Sequence, residues 1–97
     1  MNETTEVTVI ARAKAKPGHE EELERALRTN ADSSRCEGGC VSYAVLRGDD
    51  GTFMTVERWA TRSDADTHMT TPHVQSLLAT IGPLLDGAPE ITVMREV

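Results

Sequence analysis

The chain has 97 residues and a formal net charge of −6 at pH 7. This length suits one modest hydrophobic core, so we expect a single domain over residues 1–97. The acidic balance argues against nucleic acid as a partner, because that affinity comes mostly from Lys and Arg contacts to phosphates. The start of the chain is polar and acidic, and no apolar run approaches the roughly 20 residues of a membrane helix. We therefore expect a soluble, cytoplasmic protein with no membrane partner.

The first two elements follow from two different hydrophobic periods. Apolar side chains at every second position over residues 7–15 predict a half-buried strand, which ends at Pro17-Gly18. Leucine and alanine at helical spacing then predict a helix over about residues 19–33. Three glutamates, at positions 20–22, stand in its first turn, where carboxylates favour the positive end of the helix dipole.

The middle of the chain predicts a β-hairpin. Residues 40–46 and 52–59 are both β-prone, and Gly48-Asp49-Asp50-Gly51 separates them. An Asp-Gly turn between two such runs is a strong hairpin signal. Simple alternation along the first of these strands places Cys40 on the same face as Ala44 and Leu46, opposite Tyr43.

Two helices and a last strand complete the prediction. Thr61 or Ser63 can cap a short helix that runs through Met69. Thr71-Pro72 then predicts a second helix start, a cap residue followed by proline in the first turn, and apolar residues continue at helical spacing to Ile81. Gly82-Pro83 disturbs that helix, and residues 90–96 predict the final strand.

This order of elements predicts an α+β fold of the ferredoxin-like, split βαβ type, in which an antiparallel four-stranded sheet carries helices on one face. The second face of the strands is mixed rather than polar: Ile10, for example, stands between Thr8 and Arg12. A sheet face left in water alternates more cleanly than this. We therefore predict a homodimer that packs sheet against sheet, as a dimeric α+β barrel.

The two cysteines, Cys36 and Cys40, are spaced C-x3-C. Structural zinc takes four ligands, and no second Cys or His cluster completes this pair, so no metal site is expected. A disulfide is sterically conceivable but is not expected to persist in a reducing cytosol. Two small, half-buried free thiols are the favoured interpretation.

All three aromatic residues, Tyr43, Phe53 and Trp59, fall within one short stretch, and His68 and His73 follow closely. The large π surface of the chain and two of its three imidazoles are thus gathered in one neighbourhood. We expect a functional site there.

Four segments of this neighbourhood carry a recognisable pattern: residues 37–43 (EGGCVSY), Glu57-Arg58-Trp59, His68 and Thr71-Pro72-His73. Together with the opening strand (VTVIA, then KPG) and the ending LDGAPEI, they resemble the antibiotic biosynthesis monooxygenase (ABM) family of small dimeric ferredoxin-like proteins, which includes quinol monooxygenases. The resemblance covers essentially the whole chain. It is more specific for the fold than for a reaction, because a shared fold does not fix function.

The resemblance implies a cofactor-independent monooxygenase that oxidises a phenolic, polyphenol or quinol substrate with O2, without metal, flavin or haem. Such a protein binds a flat aromatic substrate, helps to remove a phenolic proton, and shields the anion and its oxygen adduct from water. The alternative is a non-enzymatic, dimeric ligand-binding or stress-response module of the same fold.

Trp59 and His73 are the first candidates for these tasks. The Trp59 ring offers a flat apolar face and an N–H donor for a pocket wall, or it is simply a core anchor at a strand end. His73 follows Pro72 at a helix start, where the positive end of the dipole favours a neutral imidazole that can accept a phenolic proton. It can equally cap or brace the helix.

His68, Tyr43 and Phe53 are further candidates. The His68 ring either points toward the pocket, as a catalytic group, or leans on the core. Tyr43 either donates its hydroxyl to a substrate oxygen or supplies cross-strand packing. Phe53, from the same aromatic cluster, is placed with the substrate-binding residues.

Glu57 lies two residues before Trp59 and therefore on the same strand face. It is a candidate for substrate binding, and a base if it is buried. An ion pair with Arg12, Arg58 or Arg95 is the favoured alternative, because buried carboxylates are generally paired.

The chain departs from the haem-degrading members of the family. These carry an asparagine on the first strand and a histidine ligand on the long second helix, which by register fall on Ala11 and near Leu78 here. Neither side chain can do that work, so haem degradation is disfavoured. A mechanism that depends on the asparagine amide is not available to Ala11 either.

Overall fold

The computed structural model describes residues 5–97. Four strands form one antiparallel sheet in the order β2-β3-β1-β4, and the helices lie on one face of it, which confirms the predicted α+β, ferredoxin-like arrangement. The strands are β1 (Val7–Lys14), β2 (Cys40–Arg47), β3 (Thr52–Trp59) and β4 (Glu90–Met94). The helices are α1 (Glu20–Arg35), α2 (Arg62–His68) and α3 (Pro72–Ile81), and a 3-10 turn, Gly82–Leu84, follows α3.

Local side-chain bonds explain where the two short helices begin. The Thr61 hydroxyl accepts a hydrogen bond from the Asp64 backbone N–H at 3.0 Å, so Thr61 rather than Ser63 caps α2. Thr71 caps α3 in the same way, accepting from the Val74 N–H, and Pro72 occupies the first helical position as predicted. These caps fix the positions of His68 at the end of α2 and of His73 in the first turn of α3.

The helix-facing side of the sheet carries the core, which has two adjoining clusters. One cluster includes Leu23, Leu27, Phe53 and Ile81, and the other includes Val9, Ala31, Tyr43, Trp59 and Ala65. Full burial of one large apolar side chain stabilises a fold by roughly 1.5–3 kcal/mol. The second cluster surrounds the predicted site, so the site lies inside the core rather than on a surface loop.

Strand β2 contains a β-bulge near its start. Cys40 pairs with Trp59 and Ser42 pairs with Arg58, so Val41 is an additional residue with no partner on β3. Cys40 therefore packs on the helix-facing side, against the cluster that contains Tyr43 and Trp59. The expected placement of Cys40 with Ala44 and Leu46 is wrong, because the bulge changes the alternation by one residue.

The opposite face of the sheet carries apolar side chains on all four strands, and no element within residues 5–97 packs on it. Leu46, for example, is 51% exposed. The register brings six apolar side chains together on this open face: Ile10, Ala44, Leu46, Met54, Val56 and Met94. Strand β4 forms one edge of the sheet and ends at Met94, two residues earlier than predicted. No helix in this part of the chain has the length and apolar character that a bilayer crossing requires.

Candidate active site

Four of the predicted site residues lie around the imidazole of a fifth, His68. The His68 ring stacks on Trp59 with 4.5 Å between ring centroids and an interplanar angle of 34°. The Tyr43 ring meets it edge-on at 5.9 Å, and the His73 ring lies 5.8 Å away. Glu57 completes the group, with Oε1 at 3.7 Å from His68 Nε2. His68 thus lies at the centre of the site.

Glu57 is buried and is held by neutral donors. Its Oε1 accepts a hydrogen bond from Trp59 Nε1 at 3.0 Å, and its Oε2 accepts one from Thr55 Oγ1 at 2.8 Å. The favoured ion pair with an arginine is wrong: Arg12 pairs with Glu90, Arg58 pairs with Glu6, and no arginine of residues 5–97 pairs with Glu57. The physical reason is strand alternation, since Arg12 and Arg58 occupy the open-face positions of their strands while Glu57 faces the helices.

Glu37, in the loop between α1 and β2, is a site residue that the sequence did not single out. Its Oε2 lies 2.7 Å from His68 Nδ1 and 2.9 Å from His73 Nε2, so one carboxylate oxygen accepts from both imidazoles. The available signal was its position at the start of the EGGCVSY segment. Glu37 and His68 are 31 residues apart in the chain, and nothing local in the sequence indicates that they meet.

Burial decreases along this chain of hydrogen bonds. His68 is buried, whereas the side chains of Glu37 and His73 are 18% and 26% exposed. His73 Nε2 also lies 3.4 Å from Thr71 Oγ1 and 3.5 Å from Ser34 Oγ. The site therefore extends from the buried carboxylate of Glu57, through His68 and Glu37, to the partly exposed His73.

Tyr43 is held on the opposite side of the site by Asn30 from α1. Asn30 Nδ2 donates to the Tyr43 hydroxyl oxygen at 3.1 Å, and both residues are buried. Burial raises the pKa of Tyr43, and the negative charge of Glu57 raises it further. Tyr43 is therefore a neutral hydroxyl at physiological pH.

The amide oxygen of Asn30 is the unusual group of this region. Asn30 is 4% exposed, and within the described residues Oδ1 has no hydrogen-bond donor. If the amide were rotated so that its oxygen and nitrogen exchanged places, the nitrogen instead of the oxygen would lack a hydrogen-bond partner. The sequence signal was an asparagine beside the buried stripe of Leu23, Leu27 and Ala31 on α1. A buried, unpaired acceptor is costly, so it marks a place where a ligand can bind.

A cavity of about 70 Å³ lies between the sheet and the helices and joins these groups. Its polar lining includes Asn30, Tyr43, Glu57 and His68, and its apolar lining includes Phe53, Leu27, Val74, Leu77 and Ala11. Leu78 of α3 and Ile91 of β4 are both exposed and mark its mouth. Trp59 and His73 do not border the cavity: Trp59 is behind Glu57 and His68, and His73 is beyond Glu37.

Neither cysteine takes part in the cavity. Both thiols are free, and Cys36 is exposed, so the expectation that it is half-buried is wrong, while Cys40 is partly buried. Burial raises the pKa of the Cys40 thiol, and the nearby charges of Glu37 and Glu57 raise it further. Cys40 is therefore a protonated packing group. The donors that could hold a metal ion are instead those of Glu37, His68 and His73, whose ligand atoms all lie within 4.8 Å of one another.

Comparison with known proteins agrees with this fold. The family described as "Antibiotic biosynthesis monooxygenase" matches residues 6–80. The chain belongs to this family. A Mycobacterium tuberculosis protein named "Putative monooxygenase Rv0793" is 33% identical over 92 residues, which cover 94% of this chain and 91% of that protein.

Several solved structures superpose closely on this chain. The structure of Rv0793 has a TM-score of 0.89 at 31% identity and 95% coverage of both chains. The Pseudomonas aeruginosa protein PA3566 has a TM-score of 0.89 at 30% identity and covers 100% of this chain and 99% of its own. A Nitrosomonas europaea structure described as a "Putative antibiotic biosynthesis monooxygenase" has a TM-score of 0.92 at 22% identity and covers 100% of this chain and 95% of its own. At this identity the likeness shows the fold alone.

Proposed function

We propose that this ABM-family chain is a cofactor-independent monooxygenase that oxidises a phenolic or quinol substrate with O2 in the cavity beside His68. The unpartnered Asn30 oxygen is the observation that carries the proposal. Asn30 lines a largely apolar cavity whose wall also includes Tyr43 and Glu57. An aromatic ring with hydroxyl groups satisfies both features, because the ring covers the apolar wall and a hydroxyl donates to Asn30. The name of the M. tuberculosis relative supports the same reaction type.

The size of the cavity favours a small substrate. Its volume of about 70 Å³ is well below the roughly 300–1,000 Å³ of sites that enclose drug-sized ligands. Met69 forms part of the wall, and its flexible side chain can move to enlarge the space. A single-ring quinol therefore fits the site better than a fused polycycle.

Glu57 is the proposed base of the reaction. In the overall change, one atom of O2 enters the quinol ring, the other leaves as water, and the substrate supplies all four electrons as it becomes a hydroxyquinone. The protein then needs only to take a phenolic proton, hold the ring and exclude water. The buried Glu57 carboxylate borders the cavity, and His68 Nε2 beside it can share the proton.

Trp59 and His73 act as positioning residues in this proposal. Trp59 donates to Glu57 and stacks on His68, so it fixes both groups that border the cavity. His73 holds Glu37, which in turn holds His68 Nδ1. Tyr43 and Phe53 contact the substrate, the first through its neutral hydroxyl and the second through its ring.

Oxygen consumption tests the proposal directly. Pure protein in an oxygen electrode, with chelator present, is given a panel of hydroquinones and polyphenols, and we expect O2 uptake above the buffer blank. Glu57→Gln is isosteric but a much weaker base, so we expect a loss of about 100-fold or more in kcat/KM. Asn30→Leu removes the hydroxyl acceptor, so we expect a loss of about 10-fold.

Glu90→Gln is the matched control, because Glu90 is an exposed strand carboxylate whose ion pair within residues 5–97 is with Arg12. Its activity should equal that of the wild type. Uptake that never exceeds the blank would reject the oxidation. If quinols nevertheless bind, as measured by quenching of the Trp59 fluorescence, the non-enzymatic ligand-binding module becomes the better interpretation.

A further inference from the structure

We propose that Glu37, His68 and His73 form a three-ligand site for a divalent transition-metal ion, with Zn²⁺ as the reference ion. The proposal concerns ion binding and does not rest on the proposed oxidation, because these atoms lie outside the cavity wall that would hold the substrate, His68 alone being shared. The ion would connect three separate segments: the loop before β2, the end of α2 and the start of α3.

The positions of the donor atoms support a metal site. Glu37 Oε2 is 2.7 Å from His68 Nδ1 and 2.9 Å from His73 Nε2, and all three atoms lie within 4.8 Å of one another. Ligand atoms about 2.0–2.2 Å from a tetrahedral Zn²⁺ stand roughly 3.3–3.5 Å apart. To reach that spacing, Glu37 Oε2 would move away from the two imidazole nitrogens, lengthening each distance by about 0.4–0.8 Å, and the imidazoles would move toward each other. The ion then replaces the protons that the two imidazoles share with the carboxylate.

The surroundings of His68 supply an independent argument. A histidine that ligates a metal usually donates its other ring N–H to a carboxylate, a backbone carbonyl or a water, which fixes the tautomer and the ring orientation. His68 has a buried carboxylate on its second side: Nδ1 lies 2.7 Å from Glu37, and Nε2 lies 3.7 Å from Glu57, which is an ion-pair distance longer than a hydrogen bond. Trp59 stacks on the ring and donates to Glu57. These contacts orient His68 so that Nδ1 is directed at the proposed ion position, beside Glu37 Oε2 and His73 Nε2.

The site also has an entry path and a defined chemical preference. Glu37 and His73 are both partly exposed, so an ion can reach them from solvent while His68 stays buried. Two imidazoles and one carboxylate suit Zn²⁺, Co²⁺ or Ni²⁺, whereas Mg²⁺ and Ca²⁺ prefer oxygen ligands alone. Three protein ligands leave a fourth position for water.

The sequence predicted no metal site because no second Cys or His cluster completes the pair of Cys36 and Cys40. Glu37 is 31 residues from His68 and 36 residues from His73 in the chain. The packing of α2 and α3 against the loop that carries Glu37 brings the three together.

The test is a calorimetric titration of chelator-stripped protein with Zn²⁺, repeated with Co²⁺ while its visible absorption is recorded. We expect one ion per chain, a tetrahedral Co²⁺ spectrum, and no heat with Mg²⁺. His73→Gln and Glu37→Gln should each weaken Zn²⁺ binding at least 10-fold. One equivalent of Zn²⁺ should raise the Tm of the wild type and leave that of His73→Gln unchanged.

His19→Gln is the matched control, because His19 is the third histidine and also contacts a glutamate, Glu22, at 3.0 Å on the exposed surface. This variant should bind Zn²⁺ like the wild type. Circular dichroism of each variant checks that it folds. If Glu37→Gln does not fold, His73→Gln, which changes a partly exposed ring, still tests the proposal. Absence of Zn²⁺ and Co²⁺ binding in the wild type, or equal affinity in the wild type and His73→Gln, overturns the proposal. Oxygen uptake in chelator tests the oxidation separately.

Discussion

Single polar residues in the core distinguish this site from ordinary packing. Glu57, Asn30 and Tyr43 are all buried, and each occupies a position that an apolar side chain could fill. Glu57 is compensated by hydrogen bonds from Trp59 and Thr55, and Tyr43 by one from Asn30, whereas Asn30 itself is compensated only in part. Because each unpaired buried group costs about 1–3 kcal/mol, such an arrangement indicates a function that an apolar core would not serve.

Tyr43 is the only tyrosine of the chain, so its ionisation can be followed by absorbance alone. Burial, with the charge of Glu57, raises its pKa above the ordinary value of 10.0. The folded state therefore holds the phenolic proton more tightly than the unfolded state does. The stability that this contributes is fully present below pH 10 and is lost as the pH rises above it.

We expect no tyrosinate absorbance from the native protein at pH 10, and its appearance only at higher pH, together with unfolding. The same titration in denaturant should have a midpoint at about 10, as for a free tyrosine. A native midpoint equal to that of the denatured chain would show that Tyr43 is not buried beside Glu57.

Sequence reasoning succeeded for some residues of the site and failed for others. The grouping of Tyr43, Glu57 and Trp59 follows from strand periodicity and hairpin register, which are local. Glu37 and Asn30 were missed because their partners lie on other elements, and charge and polarity alone do not distinguish them from surface residues. The expected ion pair of Glu57 failed for a related reason, since its true donors, Trp59 and Thr55, are neutral.

Among the elements, α2 depends on close contact with the loop that precedes β2. In the first turn of α2, the Thr61 hydroxyl donates a hydrogen bond to the Asp64 carboxylate at 2.9 Å. Gly39 lies directly against the Asp64 side chain, and its carbonyl accepts from the Ala60 N–H at 2.8 Å. The close approach of Gly39 holds α2, and with it His68, over the sheet.

Gly39→Ala should therefore be destabilising. A Cβ at this position would overlap the Asp64 carboxyl, so the substitution should cost about 1–3 kcal/mol in the free energy of unfolding and lower the Tm. Gly38→Ala is the matched control, since a Cβ there meets nothing within 4 Å. Thermal melts of the two variants that shifted equally would contradict this account of the loop.

Element boundaries were predictable where local chemistry sets them. The second hairpin strand, Thr52–Trp59, has the predicted bounds because turn residues define its start. Helix α1 continues to Arg35, two residues beyond the prediction, and the Ser34 hydroxyl donates to the Asn30 carbonyl at 2.7 Å in this last turn. A serine in the sequence more often indicates a helix end, so this extension has no clear sequence signal.

For the molecule as a whole, the open face of the sheet is the main feature that one chain leaves unexplained. Ala44, Val56 and Ile10 form a continuous apolar row across β2, β3 and β1. At the margins of this face, the Arg12–Glu90 and Arg58–Glu6 pairs balance charge. An apolar centre with compensated charges suits a second copy of the chain, so the homodimer remains our prediction.

Light scattering at micromolar concentration should report twice the mass of one chain. Leu46→Lys places a charge in the apolar face and should give the mass of a single chain with little change in unfolding temperature, because Leu46 is half-exposed in the monomer. Leu78→Lys, a similar change on the helix side, should leave the dimer intact. A wild-type mass equal to that of one chain would exclude the dimer.

The β-bulge at Val41 divides strand β2 into two segments. Residues before it, including Cys40, continue the loop that carries Glu37, and residues after it alternate between Tyr43 on the core side and Ala44 on the open face. Substitutions on either side leave this division intact. If Val41 were absent, Cys40 would directly precede Ser42, and the pairs Cys40–Trp59 and Ser42–Arg58 would follow one regular alternation, with Cys40 still on the helix-facing side. The extra residue therefore explains why Cys40 and Tyr43, which are three positions apart, share the helix-facing side of the sheet.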